Sequence, residues 1–122
     1  MPLVILRYKP RRIPGEAVQK LAQALPAIVA EALDIPENKD ARLTPGEVEV
    51  WVEESHKFDS NPKDLQIVVF AHDYPERRPN LEVRKNAILG GVGAFLSDYD
   101  YNASWFVWVL LSQSAYGENP RS

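Results

Sequence analysis

Cysteine is absent from the 122 residues, which removes disulfides, thiolate metal sites and a cysteine nucleophile together. Histidine is nearly absent too: His56 and His72 are the two in the chain, and neither has a partner at metal-ligand spacing, so zinc or iron chemistry is poorly supported. No apolar run approaches the roughly 18 residues of a membrane span, and the first residues lack the charged, apolar, small-residue order of a secretory leader. Neither sign of charge dominates, with 14 Lys and Arg against 17 Asp and Glu. A net charge of −3 argues against broad binding to nucleic acid or to an anionic membrane. These absences suit a cytoplasmic protein in a reducing compartment. Gly90, Gly91 and Gly93 have neither the spacing nor the preceding strand of a phosphate loop, and no serine stands in a nucleophile elbow.

What is present fits one domain, 1–122, because 45% hydrophobic and 25% charged residues suffice for a core without staples. The chain opens directly on β-favouring types, Met1-Pro2-Leu3-Val4-Ile5-Leu6-Arg7-Tyr8, so its first residues are built into a sheet. Removal of Met1 turns Pro2 into a secondary amine on a rigid ring, a candidate base or nucleophile. A proline inside a chain has no basic nitrogen. The bland alternative is a proline tolerated as the first residue of a strand.

A proline-punctuated basic loop, Lys9 to Gly15, follows. Apolar residues then recur from Val18 to Leu33 at helical spacing, predicting a helix over about Glu16 to Leu33, kinked at Pro26. Asp34 to Gly46 reads as loop. Glu47 to Glu53 alternates as a strand with Val48, Val50 and Val52 on a dry face. The polar connection Ser55 to Asp64 divides the chain into halves, 1–60 and 61–122. Leu65 to Ala71 predicts a strand, and His72 to Pro79 a second proline-bracketed loop carrying Arg77 and Arg78. Asn80 is a plausible cap for a helix over Leu81 to Tyr99, whose three glycines imply a close approach to sheet or partner. Trp105 to Leu111 predicts a strand covered on both faces. Ser112 to Ser122 reads as polar tail, with a short hairpin at Tyr116-Gly117.

The order is strand, helix, strand, twice: two βαβ units whose strands run parallel within each unit. The fold class is therefore α/β (α+β), a four-stranded mixed sheet with two helices on one face. Two folds answer to it: the ferredoxin-like split βαβ sandwich, a binding module, and the tautomerase fold. His72 and Asp73, being adjacent, point to opposite faces and do not form a base with its orienting acid. Trp51, Trp105 and Trp108 could line a stacking sheet for RNA, but Glu47, Glu49 and Glu53 would repel phosphate.

Met1-Pro2 opening a strand, the arginine pair Arg11-Arg12, two βαβ units and this length together resemble the tautomerase superfamily, including its migration inhibitory factor-like members. The resemblance implies a cofactor-independent tautomerase or isomerase, with Pro2 as general base and acid on a small keto or enol carboxylate. It implies Arg12, Arg78 and Arg77 as carboxylate-binding residues and Trp105 as a pocket wall. An arginine fork grips a carboxylate through two hydrogen bonds, and guanidinium charge favours the neutral, basic amine. The resemblance further implies a homotrimer with sites at subunit boundaries, and neither metal nor cofactor. Glu49 and Val107 stand where members of the family carry an arginine and an asparagine. The water-activating glutamate of the dehalogenase members has no clear counterpart, which favours simple tautomerisation. The alternative is a non-catalytic oligomer of either fold that binds a ligand or partner protein.

Overall fold

The computed structural model describes residues 1–99 and 102–121. Strand β1 (Leu3–Tyr8), helix α1 (Gly15–Leu33), strands β2 (Glu49–Glu54) and β3 (Leu65–His72), helix α2 (Leu81–Asp98) and strand β4 (Trp105–Ser112) form a four-stranded sheet in the order β2-β1-β3-β4. β1 and β2 pair in parallel, as do β3 and β4, while β1 and β3 are antiparallel. Each βαβ unit closes on itself, with no strand inserted between its two parallel members. The split arrangement of the ferredoxin-like fold is thereby excluded.

Alternation along the strands decides which face is dry. Val4 and Leu6 of β1, and Leu65, Ile67 and Val69 of β3, are all fully buried. They pack against Leu21, Leu25 and Val29 of α1 and Ile88 and Val92 of α2. Each such side chain contributes roughly 1.5–3 kcal/mol. The helices approach closely at Gly91, where an added Cβ would lie 2.9 Å from Ile28 Cγ2. The close approach expected of the glycines is thus helix against helix. Gly90 has open space around it, and Gly93 lies at ordinary contact distance from Trp105.

The opposite face of the sheet carries no helix. Strand register aligns Trp51, Ile5, Val68 and Trp108 in one row across all the strands, with Leu3, Phe70 and Leu110 in the next. Trp51 is 51% exposed and Trp108 59%. The expectation that β4 is covered on both faces therefore fails within one chain: β4 is an edge strand, with only its Trp105–Val107–Val109 side against the core.

Several boundaries shift for local reasons. A single 3-10 turn at Pro45–Glu47 delays β2 to Glu49, and Val52 near its end is exposed. Helix α1 runs unbroken through Pro26. Asn80 precedes α2 without capping it; its side chain accepts from Arg84 Nε at 2.8 Å instead. The tail over 113–121 forms no hairpin. No helix among the described residues is long and apolar enough to cross a membrane.

Candidate active site

Because β1 and β3 are antiparallel, with Leu3 opposite Phe70, the start of the chain lies beside the end of β3. There Pro2 is buried, and its carbonyl accepts from Glu49 N at 3.1 Å. A cavity of about 260 Å³ opens against it, lined by Met1 and Pro2, by His72 at the end of β3 and Tyr74 and Arg77 after it, by Asp40 to Leu43 and Glu47 before β2, and by Tyr116 and Glu118 of the tail.

Arg77 is the deepest charge in this cavity, only 2% exposed. It sits on a short 3-10 turn, Pro75–Arg77. Its Nε donates to the Leu33 carbonyl at 3.1 Å and its Nη1 to the His72 carbonyl at 3.0 Å, while the guanidinium lies 5.1 Å from the Tyr74 ring centre. Arg84 Nη1 adds donations to the Ala32 and Asp34 carbonyls. Two cations from the second half of the chain thus occupy the negative end of α1, where unpaired carbonyls welcome them. No carboxylate forms an ion pair with Arg77 among the described residues. Burial, and then the charge of Arg84, pull its pKa below the ordinary guanidinium value. The charges of Asp34 and Glu76 favour the cation without pairing with it, so a buried guanidinium held directly by carbonyls and a ring is half of an anion site.

The walls are tied together across the chain. Tyr74 Oη donates to the Asp40 carbonyl at 3.1 Å, and Asn38 Nδ2 donates to Glu76 at 2.8 Å. Asp34 accepts from Leu43 N at 2.8 Å and Arg42 Nε at 3.1 Å; the Leu43 bond, followed by Arg42, holds its carboxyl below the usual range. His72 Nδ1 lies 3.0 Å from Ser114 Oγ. Tyr116 Oη is 3.3 Å from Met1 Sδ and donates to Glu118 at 2.6 Å, an acceptor that pushes the phenol's pKa up.

Of the residues singled out from sequence, Pro2 and Arg77 share this cavity. Arg78 is exposed and bound to Asp73 by a bidentate pair at 2.8 and 2.9 Å. Arg12 lies beyond the other end of β1, 3.5 Å from Asp64. Trp105 pairs with Leu65 at that same far end and packs into the core. Tyr74, Tyr116 and Asp40 are lining residues that sequence reasoning missed. A tyrosine inside the proline-bracketed loop was a usable signal for Tyr74. Tyr116 meets Met1 across 115 positions, a separation that no local pattern encodes.

No family profile and no curated protein matches the sequence. Solved structures do match its shape. Malonate semialdehyde decarboxylase superposes with a TM-score of 0.63 at 11% identity, over 98% of this chain and 91% of that one. This is the tautomerase fold. 5-Carboxymethyl-2-hydroxymuconate delta-isomerase matches equally well, with a TM-score of 0.63 at 9% identity over 100% of this chain and 88% of that one. A fused 4-OT symmetric trimer matches at 0.57 and 17% identity, over 91% and 85%. The tautomerase fold thus extends over nearly the whole chain.

Proposed function

We propose that this protein is a cofactor-independent tautomerase acting on a small keto or enol carboxylate. The observation that carries the reading is that Arg77, buried and lacking a carboxylate partner, lines the same cavity as Pro2. Once Met1 is removed, the Pro2 nitrogen is a secondary amine at the cavity floor. It takes a proton from the carbon next to the substrate carbonyl and returns it to oxygen, while Arg77 holds the carboxylate. The guanidinium nearby favours the neutral amine, the form that accepts a proton. The isomerase and decarboxylase that share the fold support this class of chemistry.

The acting unit in this proposal is a cytoplasmic homotrimer. The apolar rows on the open sheet face need a cover, and a symmetric trimer stands among the structural neighbours. Arg12, Arg78 and Trp105 then contribute to substrate binding across a subunit boundary. A second reading rests on Met1, whose sulfur lies 3.3 Å from Tyr116 Oη at the edge of the cavity. With Met1 retained, Pro2 is an amide, and the cavity binds a ligand without turnover.

Mass spectrometry of the untagged protein, joined to a phenylpyruvate tautomerase assay, separates the two. Loss of Met1, and a fall in kcat of at least about a hundredfold in Pro2→Ala, are the expected results. An intact Met1, or full turnover in Pro2→Ala, overturns the enzymatic reading.

A further inference from the structure

A larger cavity, of about 550 Å³, lies at the other end of β1, between the loop after that strand and the connection after β2. Lys9, Arg11, Ser55, His56, Lys57 and Asp59 line it, with Pro10 and Pro62 closing its sides. At about 3.3 Å per strand residue it is roughly 20 Å from Pro2, and it shares no residue with the first cavity.

Four of its six polar residues, Arg11, Ser55, His56 and Lys57, offer a donor with no acceptor among the described residues. Arg11 has no hydrogen-bond or ion-pair partner among the described residues, and Lys57 has only the Phe58 ring, 5.2 Å away. Lys9 Nζ shares Asp64 with Arg12 at 3.6 Å. His56 Nδ1 accepts from Phe58 N at 3.1 Å, which leaves the ring proton of the neutral imidazole on Nε2 as a donor. Asp59 is the one acid in the lining, and its Oδ2 is taken by Arg7 Nη2 at 2.6 Å and His56 N at 2.9 Å. Ser55 Oγ is buried and has no hydrogen-bond partner. A buried hydroxyl left without a partner costs about 1–3 kcal/mol, and structures rarely leave one so unless a water or ligand completes it.

The walls are fixed before any ligand arrives. Ser55 N donates to the Tyr8 carbonyl at 2.8 Å, Lys9 N to Asp64 at 3.0 Å, and Asp59 N to His56 at 2.9 Å. We propose that this cavity is a second ligand site, for a small molecule bearing a phosphate or carboxylate oxyanion. Arg11 and Lys57 supply the charge, and Ser55 and His56 the neutral hydrogen bonds. The proposal stands independently of the chemistry at Pro2.

The test is a titration of the full chain with inorganic phosphate and, separately, citrate, at constant ionic strength, followed by amide NMR shifts and calorimetry. Saturable binding that moves the Ser55, His56 and Lys57 amides is expected. Tighter binding of phosphate would assign the group to phosphate esters, and tighter binding of citrate to polycarboxylates. The double variant Arg11→Gln/Lys57→Gln, both at exposed positions, should keep the wild-type Tm and weaken binding at least tenfold. Ser55→Ala should weaken it severalfold, and Pro2→Ala should leave it unchanged. Shifts that rise linearly with concentration over every basic surface residue, or saturable binding that survives in the double variant, would overturn the assignment.

Discussion

Arg77 and Arg78 are neighbours of one type with opposite fates. A single turn of 3-10 geometry sends the first inward, against the end of α1, and the second outward to Asp73. Arg77→Lys keeps the charge but loses the fork, so KM for a carboxylate substrate should rise tenfold or more, with a smaller change in kcat. A variant with unchanged KM would remove Arg77 from the site. Arg78→Ala should leave Tm as it is, since its pair with Asp73 is exposed. Asp64 contributes to the acid sensitivity of the fold. It is 7% exposed and accepts from Ser104 N at 3.1 Å; that bond above all, with Arg12 and Lys9 adding to it, lowers its pKa. Its stabilising effect is therefore complete above the ordinary carboxyl value near 4 and is lost as pH falls through its lower folded value. Asp64→Asn should reduce Tm at pH 7 and flatten the loss of Tm below pH about 4; an unchanged acid limb would contradict this assignment.

Among the elements, α2 depends on where its glycines fall. Gly91→Ala pushes a methyl into Ile28 and should cost about 1–3 kcal/mol. Gly90→Ala meets nothing within 4 Å and should raise stability by up to about 1 kcal/mol. Thermal or urea unfolding of the pair checks both signs. The helices and strands were legible from sequence because periods of 3.6 and 2 are written locally: Val18 to Leu33 and Glu47 to Glu53 each announce their type. Topology was half legible. Parallel pairing within a unit follows from the intervening helix, but which strands meet at the centre depends on β1 against β3, a contact between halves with no local mark. Of the residues lining the candidate cavity, Pro2 and Arg77 were singled out from the sequence. The site was not legible at Tyr74, Asp40 or Tyr116, which are brought together only after the two halves pack.

At the scale of the whole molecule, the uncovered sheet face is the surface that the proposed trimer would bury. Trp51 and Trp108 stand at opposite edges of the sheet with Ile5 and Val68 between them, an apolar strip that one chain leaves wet. Light scattering after size exclusion should give three chains for the wild type. Trp108→Glu should shift the mass toward one chain while leaving far-ultraviolet circular dichroism intact, because Trp108 lies outside the core of the single chain. A monomeric wild type would leave that strip for another partner.

Met1 and the tail residues Tyr116 and Glu118 all border the Pro2 cavity. A purification handle fused ahead of Met1 therefore emerges at its mouth. Such a handle also locks the proline nitrogen into an amide. Under the proposed mechanism, material prepared in that way would look inert in an enolisation assay even where the free imino terminus is active.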